Sequence, residues 1–327
     1  MADYTIKLFT TDEYESYVHA VYRGDSSGVT SDAQLRRRWW CFDNPNGGAF
    51  AAAFWDDEVA ATCYLSGKLL NIGDELHRVF EIGETATAPD HQRRGLFSKL
   101  VNACIEYAFD SGATAIYGTP NSQSTPGYAK LKFDIIESEN SHLFFSPNLL
   151  HFAIPSLAPT PASYSNRTTV GKTVKLTSDE FYEHARSRLR LNDSSLEYFQ
   201  WRFCSSPHKK YDFYRLGDFS MAVCRAKLGK YEVVLVSDYG QAGSKGDAIE
   251  SIKLIRSIHS EIYQGRDHAG IYFHAPLNDR MGRLRYGMNK LIHHRILPVC
   301  VMHKGDSALI DALRSAPLPQ LSDCDIG

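Results

Sequence analysis

The sequence predicts an α+β fold in which two similar domains follow one another along the 327-residue chain. Each domain is expected to hold a mixed, mostly antiparallel sheet flanked by helices. Three observations support this. A β-hairpin leads into a strand–turn–helix–strand run, residues 146–171 form a proline-rich break, and the same order of elements recurs after that break. The predicted boundaries are 1–150 for the first domain, 151–171 for a linker or crossover, and 172–327 for the second domain.

Composition is that of a globular protein, with 43% hydrophobic and 23% charged residues. A formal net charge of −2 supplies no bulk attraction to nucleic acid or to an acidic membrane, so we expect neither partner. No apolar run reaches the roughly 18–20 residues needed to cross a bilayer, and the N-terminus lacks a signal-peptide pattern, so a cytoplasmic location is expected. The seven cysteines are scattered without C-x-x-C spacing, which favours free thiols over a zinc site or disulfides. We expect no metal.

Periodicity and turn residues give the elements of the first domain in order. Thr10 or Thr11 is expected to cap the first helix, because Asp12 and Glu13 follow in its first turn. The arginines at 36–38 have two interpretations, a phosphate-binding patch or a solvated helix face, and the solvated face is preferred. The predicted elements are a strand over 4–9, a helix over 12–23, a helix from Ser31, a hairpin of 49–54 with 59–66, a strand over 77–88, a helix over 96–110 and a strand over 113–118.

The first domain is organised around residues 80–100, FEIGETATAPDHQRRGLFSKL. A strand runs into a glycine-containing turn, and a helix follows from Leu96. Such a turn leaves several backbone N–H groups unpaired at the positive end of the helix dipole, which suits a phosphate. Arg93 and Arg94 add positive charge beside them.

The spacing Gln92-x-x-Gly95-x-Phe97 after a strand resembles the Gln/Arg-x-x-Gly-x-Gly/Ala signature of the GCN5-related N-acetyltransferase (GNAT) superfamily, which holds the pyrophosphate of acetyl-CoA. Phe97 stands where the signature has Gly or Ala. Only the backbone N–H of this residue needs to face the ligand, so a large side chain can be accommodated. Downstream, Tyr128-x-x-x-Lys132-Phe133 is similar to the Tyr-x-x-x-Gly-Phe ending common in the superfamily, with lysine in place of glycine. The resemblance is specific over about residues 50–135 and rests on element order alone over 172–303.

The resemblance implies an acyl-CoA site in the first domain. The strand 85–88, opened by a bulge at Gly83, would pair with the pantetheine arm. Thr87 would lie nearest the position from which a backbone N–H meets the thioester oxygen. Asn121 matches a position that often touches the cofactor, and its alternative role is that of a turn residue. The implied cofactor-binding residues are Thr85, Ala86, Thr87, Gln92, Arg93, Arg94, Gly95, Leu96, Phe97, Ser98 and Asn121.

Acyl transfer to an amine needs a base for the amine and a proton for the leaving thiolate. Glu81 lies eleven residues before Gln92 and resembles the base of the histone-acetylating branch. Glu84, next to the expected bulge, is the alternative, and many family members use water chains instead. Tyr128 matches the tyrosine that protonates the thiolate, and its alternative role is that of a core tyrosine.

The second domain repeats this order of elements. Trp40-x-Phe42-x-x-Pro45 precedes the first hairpin, and Trp201-x-Phe203-x-x-x-Pro207 precedes the second. The second copy lacks the Gln-x-x-Gly spacing, so the resemblance to tandem-domain family members implies one live site and a degenerate second domain. Its predicted elements are helices over 178–190, 196–203, 247–263 and 279–286, and strands over 211–217, 220–227, 232–237, 270–274 and 296–303.

The function expected from the resemblance is that of an acyl-CoA-dependent N-acyltransferase. Acetyl-CoA is the expected donor, and the acceptor is the primary amine of a small molecule. The segment PNSQSTPGYAKLKF looks like that of bacterial tandem enzymes linked with polysaccharide and amino-sugar pathways, which favours an amino sugar. Aminoglycosides, amino acids and peptide amines stay open, and a homodimer is an expected assembly. The alternatives are a regulatory module that binds acyl-CoA without turnover, and a transferase that uses a different acyl donor.

Overall fold

The computed structural model describes residues 4–23, 31–72, 75–145, 174–185, 195–217, 219–228, 231–239, 268–276, 295–303 and 311. By contacts the chain forms two compact units. The first comprises Met1–Glu137, Leu191–His208 and Leu297–Arg314, and the second comprises Ser138–Arg190, Lys209–Ile296 and Ser315–Gly327. Each unit therefore draws on several segments of the sequence. The predicted domain boundaries stay a prediction, and the predicted linker lies outside the described residues.

The first unit is built on a mixed, mostly antiparallel sheet, as predicted. Its strands follow the order β1-β2-β3-β4-β5-β12. The first four are antiparallel neighbours, β4 and β5 are parallel, and β12 runs antiparallel to β5. The strand bounds are Thr5–Thr10 for β1, Gly48–Trp55 for β2, Glu58–Ile72 for β3, Glu75–Thr87 for β4, Ala115–Gly118 for β5 and Arg295–His303 for β12.

Helices cover both faces of this sheet. On β2 the residues Ala49, Ala51 and Ala53 belong to one buried cluster, and Phe50 belongs to another. Since alternate residues of a strand point to opposite faces, the two clusters lie on opposite sides of the sheet. The first contains Leu96 and its helix, and the second contains the aromatic side chains near the N-terminus. The helices are α1 (Tyr14–Arg23), α2 (Ser31–Arg37), α3 (Leu96–Asp110) and α4 (Thr125–Lys130).

The hairpin between β2 and β3 has the turn that its sequence predicts. Asp56 and Asp57 have φ angles of 47° and 67°. Positive φ at both central residues defines the tight turn that matches the twist of hairpin strands, and aspartate tolerates this conformation. β3 is longer than the predicted 59–66, because it pairs with β4 along its whole length as far as Ile72.

The second unit repeats the strand order of the first. Its sheet runs β7-β8-β9-β10-β11 and ends on the part of β6 from residue 138 onward. As in the first unit, one pair is parallel, here β10 with β11, and the outermost strand pairs antiparallel. The bounds are Asp134–Phe145 for β6, Val174–Leu176 for β7, Tyr211–Leu216 for β8, Phe219–Leu228 for β9, Tyr231–Tyr239 for β10 and His268–Pro276 for β11, with α5 at Ser178–Ala185. The helices predicted over 247–263 and 279–286 lie outside the described residues.

Matching helix starts follow β1 and β7. The carboxylate of Glu13 accepts hydrogen bonds from the backbone N–H and the hydroxyl of Thr10, both at 2.9 Å. Glu180 accepts the same two bonds from Thr177, at 2.8 and 3.0 Å. Thr-x-x-Glu is thus used at both places to begin a helix after the opening strand.

A π-helical turn precedes each hairpin, at Arg38–Phe42 and at Gln200–Cys204, the latter after the short helix α6 (Leu196–Phe199). The turns close through the bonds from Asp43 N–H to Arg38 C=O and from Ser205 N–H to Gln200 C=O, both 2.9 Å. Counted from these turns, Trp39 corresponds to Trp201. The sequence alignment of Trp40 with Trp201 is therefore wrong by one residue.

Candidate active site

β4 and β5 separate within the first unit. Their parallel pairing covers only Val79–Glu81 against Ala115–Tyr117. β4 continues to Thr87 along β3, so its other edge has no strand beside it over residues 83–87 among the described strands. An open strand edge of this kind can hydrogen-bond an extended, amide-containing ligand.

A β-bulge interrupts β4 at the start of this edge. The register changes from Tyr64 opposite Gly83 to Thr62 opposite Ala86, so Glu84 and Thr85 together oppose one residue of β3. The bulge was predicted at Gly83 and lies on the next two residues. Glu84 adopts φ 43°, which is uncommon for a glutamate. Gly83 is needed because a Cβ there would lie 2.6 Å from the Tyr64 phenol oxygen.

The backbone of Thr87 faces the open edge. The Ala88 N–H donates to the Ala60 carbonyl of β3 at 2.9 Å. Along an antiparallel strand, the backbone groups of successive residues point alternately toward and away from the neighbouring strand. The N–H and C=O of Thr87 therefore point away from β3. Its carbonyl accepts a hydrogen bond from the Gln92 side-chain amide on that side, at 3.4 Å. The predicted contact of the Thr87 N–H with a thioester oxygen stays a prediction.

The turn between β4 and α3 forms an open cradle of N–H groups. Arg93 and Gly95 both have positive φ, 61° and 77°. The Lys99 N–H donates to the Gly95 carbonyl at 3.2 Å, so the N–H groups of Leu96, Phe97 and Ser98 precede the first helical bond. A Cβ on Gly95 would meet nothing within 4 Å. Successive N–H groups in such a conformation bind anions.

The side chains of the turn are placed around this cradle. Residues 92–95 are exposed to solvent. The Arg94 guanidinium donates to the Asp90 carbonyl at 3.0 Å and is thereby held beside the turn. The Nδ1 of His91 lies 2.9 Å from the Tyr4 hydroxyl, which ties the turn to the start of β1.

Phe97 turns its side chain away from the cradle. Its ring packs edge-on against Tyr128, with centroids 5.1 Å apart. A Cβ on Gly127 would lie 2.6 Å from the Phe97 ring, so glycine is needed where α4 meets α3. The large residue at the last position of the Gln-x-x-Gly-x-Phe run is therefore compatible with an inward-facing N–H.

Tyr128 lies beneath the open edge of β4. It is buried, and its hydroxyl lies 3.3 Å from Thr85 Oγ1. That oxygen lies 3.5 Å from the Cys63 thiol, so the Thr85 side chain faces the core. Burial above all, and next the neighbouring Cys63 thiol, raises the pKa of Tyr128 well above 10. Tyr128 therefore keeps its proton at neutral pH and is available as a hydrogen-bond donor.

Glu81 is held in a buried ion pair. Its carboxylate lies 2.5 Å from the Lys68 ammonium, and the two side chains are 6% and 3% exposed. Lys68 also lies over the rings of Trp40 and Tyr117, at 5.5 and 5.6 Å from their centroids. Burial first, and then the charge of Glu81, raises the pKa of Tyr117 well above 10. The carboxylate favoured by sequence as the base thus neutralises a buried lysine.

Glu84 is the more accessible of the two predicted carboxylates, with 27% of its side chain exposed. Arg36 Nη2 lies 2.6 Å from one of its oxygens, and Arg37 Nε lies 3.7 Å from the other. The Arg37 guanidinium also packs over the Phe50 ring at 5.3 Å. Sequence reasoning missed this contact. The arginine run was taken as a solvated helix face, yet the Arg37 side chain is only 15% exposed.

Asn121 begins α4. Its side-chain oxygen accepts hydrogen bonds from the N–H groups of Gln123 and Ser124, at 3.0 and 2.9 Å. These contacts are those of a turn residue. Contact between Asn121 and a cofactor stays a prediction.

Three further observations concern the described residues alone. They contain no group of three or more His, Cys, Asp or Glu side chains that could hold a metal ion. Their six cysteines are free thiols. None of the helices placed by the structure has the length and apolar character needed to span a membrane.

Residues 11–133 match the sequence profile of the Acetyltransferase (GNAT) family. This range includes β4, the Gly95 turn, α3 and Tyr128. No match to the sequence was found among curated proteins.

Several solved structures share the fold at low sequence identity. A GCN5-related N-acetyltransferase from Anabaena variabilis is 10% identical, with a TM-score of 0.60 over 91% of this chain and 72% of that one. One from Kribbella flavida is 13% identical, with a TM-score of 0.58 over 94% and 73%. Eis1 from Mycobacterium abscessus is 12% identical, with a TM-score of 0.52 over 92% and 73%. The protein therefore has the fold of the GNAT acetyltransferase superfamily.

Proposed function

We propose that the protein is an acyl-CoA-dependent N-acyltransferase, which moves the acetyl group of acetyl-CoA to the primary amine of a small molecule. The observation that carries this proposal is the open N–H cradle at Gly95 directly beside the unpaired edge of β4. A phosphate-binding turn suits the pyrophosphate of a CoA thioester, and an open strand edge suits its amide-containing pantetheine arm. The family match of residues 11–133 supports the same assignment.

The donor would be held by groups of this chain that already face the site. The N–H groups of residues 93–98 would bind the pyrophosphate, with the Ser98 hydroxyl beside them. The edge of Thr85, Ala86 and Thr87 would pair with the pantetheine arm. The Thr87 N–H, which points to that edge, would meet the thioester oxygen as it gains negative charge. The donor supplies the activated acyl group.

Proton transfer would involve Glu84 and Tyr128. The amine attacks as the neutral form, so its proton must leave. Glu84 is the predicted carboxylate that solvent can reach, directly or through a water chain, while the Lys68 contact gives Glu81 a structural role. Tyr128 keeps its proton and would donate toward the departing sulfur. The C–N bond forms, the C–S bond breaks, and the thiol leaves with one proton.

The test of this function is release of free CoA thiol from acetyl-CoA with a panel of amines, including amino sugars, aminoglycosides, amino acids and peptides. Turnover of at least one amine, with the acetylated product detected by mass spectrometry, is expected. Propionyl-CoA and longer thioesters are the comparison donors, and a preference for one of them would replace acetyl-CoA as the donor.

A second function is favoured by one observation. Both carboxylates predicted as bases are ion-paired, Glu81 with Lys68 and Glu84 with Arg36. A protein that binds acyl-CoA without turnover would have no need of a free base. Tight binding of acetyl-CoA together with no CoA release on any amine would establish this second function.

The proposal extends to the second unit and the assembly. The shared strand order and the paired Thr-x-x-Glu helix starts support a duplicated GNAT-like domain whose second copy has lost its acyl-CoA site. A cytoplasmic location, a homodimer and the lack of nucleic-acid or membrane partners are further parts of the proposal. Sedimentation velocity of the full chain tests the assembly.

A further inference from the structure

We propose that Thr85 is a positioning residue for proton transfer, and that its hydroxyl directs the proton of Tyr128 toward the departing sulfur. The inference rests on the proposed function and concerns the leaving thiolate of the same reaction. The backbone of Thr85 belongs to the open edge of β4, whereas its side chain faces the core. A role of the side chain can therefore be separated from a role of the backbone.

The β-bulge of β4 brings the Thr85 hydroxyl to this place. Ile82 belongs to the buried cluster on the α3 face, and regular alternation would turn Glu84, two residues later, to the same face. The bulge instead sets Glu84 and Thr85 together opposite Cys63. As a result the hydroxyl of Thr85, and not the carboxylate of Glu84, lies against Cys63 and Tyr128. Bulges commonly re-aim a side chain in this way beside an active site.

The Thr85 hydroxyl connects two buried side chains. Its Oγ1 lies 3.3 Å from the Tyr128 hydroxyl and 3.5 Å from the Cys63 Sγ. Hydroxyl and thiol protons rotate, so each of these contacts can be made with either atom as the donor. Hydrogen bonds between catalytic groups are often long before the substrate binds and shorten as charge develops. Thr85 can therefore serve Tyr128 as an acceptor or as a donor.

Transfer of the Tyr128 proton fixes the direction of this hydrogen bond. Tyr128 has one hydroxyl proton, and as the general acid it directs that proton to the sulfur. Its oxygen then offers only lone pairs to Thr85, so Thr85 must be the donor. The O–H bond of Tyr128 breaks, an S–H bond forms, and the phenolate left behind accepts a charge-assisted hydrogen bond from Thr85. Tyr128 regains its proton from solvent after the thiol has left.

The surroundings of Tyr128 make such a donor useful. Burial first, and then the Cys63 and Cys300 thiols, raise the pKa of Tyr128, whereas the hydrogen bond with Thr85 lowers it. A phenol with a raised pKa holds its proton more tightly, and this opposes transfer to a thiolate. A donor that is in place before the reaction stabilises the phenolate as it forms and needs no reorganisation. Thr85 therefore offsets the effect of burial during proton transfer.

The experiment is a double-mutant cycle on kcat for CoA release by the full chain, with an amine that the wild type acetylates. Thr85→Val keeps the shape of the side chain and removes its hydroxyl. It should lower kcat about tenfold or more, the effect of losing a hydrogen bond to a charged group. Affinity for acetyl-CoA should stay within about twofold, because the backbone edge is unchanged. In the Tyr128→Phe background, Thr85→Val should change kcat by less than about twofold, because no phenol remains to be directed.

Further variants and a spectroscopic signal check that the effect belongs to the hydroxyl. Thr85→Ser keeps the hydroxyl and should keep kcat within about threefold of the wild type. Thr114→Val is the matched control, because it removes a hydroxyl that donates to the Arg78 carbonyl at 3.1 Å, just before β5, and its kcat should equal that of the wild type. Tyrosine labelled with carbon-13 at Cζ reports the hydrogen bond of the phenol without any acyl donor. The NMR signal of Tyr128, assigned by its loss in Tyr128→Phe, should move in Thr85→Val and return in Thr85→Ser.

The outcomes separate this inference from the proposed function. An unchanged kcat in Thr85→Val, or an equal loss of kcat with and without the Tyr128 hydroxyl, overturns the positioning role and leaves the transferase standing. An unmoved Tyr128 signal in Thr85→Val, or a loss of acetyl-CoA affinity as large as the loss of kcat, does the same. No turnover by the wild type with any amine overturns the proposed function and this role with it.

Discussion

The Lys68 ammonium lies 2.5 Å from the Glu81 carboxylate in a pair of side chains that are 3% and 6% exposed. The pair sits where β4 begins to part from β5, since Glu81 is the last residue of β4 that pairs with β5. Removing one partner would leave a buried charge without compensation, which costs about 3–5 kcal/mol. Each partner is therefore needed to compensate the other at the point where the open edge begins.

The first prediction separates this role from base catalysis. Glu81→Gln and Lys68→Met should each lower the free energy of unfolding by about 3–5 kcal/mol, and the double variant should recover most of the loss, because no charge is left unpaired. Urea denaturation measures this. The double variant should also release CoA at close to the wild-type rate. A stable double variant without activity would instead identify Glu81 as the base.

The second prediction concerns Tyr128. Tyr128→Phe keeps the ring contacts to Phe97 and Phe133, whose centroids lie 5.1 Å away, and removes only the hydroxyl. We expect kcat to fall by about 10²-fold or more, the size of a lost acid–base group, with the affinity for acetyl-CoA unchanged. Steady-state kinetics and calorimetry give the two quantities. Equal losses in both would make Tyr128 a packing residue.

The third prediction is an alkaline loss of stability through buried thiols. Burial is the main cause that raises the pKa of Cys300 to about 12. The unfolded thiol loses its proton first, at a pH of roughly 8.5. The buried Cys300 thiol therefore makes its full contribution to the free energy of unfolding below that pH. This contribution is lost as pH rises toward about 12, the folded-state pKa.

Urea denaturation between pH 7.5 and 10.5 measures this slope. Cys300→Ala should be less stable than the wild type at pH 7.5 but should lose less stability per pH unit, because one buried thiol is gone. Cys204 is exposed, so Cys204→Ala is the control and should keep the wild-type slope. An unchanged slope in Cys300→Ala would show that this thiol does not titrate with unfolding.

The local elements could be predicted from sequence because their causes are local. α3 begins at Leu96 and ends at Asp110 as predicted, since Gly95 and Gly112 both supply positive φ at its ends. The Asp56–Asp57 turn follows from residues that tolerate φ above zero. The open turn at Gly95 was also predictable, because its conformation depends only on the turn residues and the helix after them.

The pairings between distant residues could not be predicted in this way. β12 pairs with β5, although Cys300 and Gly118 are far apart in the chain. The Lys68–Glu81 pair depends on how far β3 extends along β4. The residues around Lys68 do not alternate between apolar and polar in a way that would predict burial of its side chain.

The two halves of the repeat can be aligned correctly by their prolines, but not by the Trp-x-Phe match. Pro45 and Pro207 each lie six residues after the tryptophan in the second position of their π-helical turns, Trp39 and Trp201. Aligning the Trp-x-Phe sequences at Trp40 and Trp201 gives the wrong register. Aligning the two prolines gives the correct register, with Trp39 opposite Trp201. Trp39 and Trp201 in fact exchange reciprocal hydrogen bonds, each indole N–H donating to the other's carbonyl at 3.0 Å.

The binding of acetyl-CoA at the Gly95 turn is tested most directly by isothermal titration calorimetry on the wild type, Gly95→Asp and Gly95→Asn. Both substitutions place a side chain of the same size into open space at φ 77°, and both residues tolerate that conformation, so they differ only in charge. We predict binding by the wild type, retained binding in Gly95→Asn and a loss of at least tenfold in affinity in Gly95→Asp. Equal affinities for the Asp and Asn variants, or no binding by the wild type, would contradict the assignment of this turn as the phosphate site.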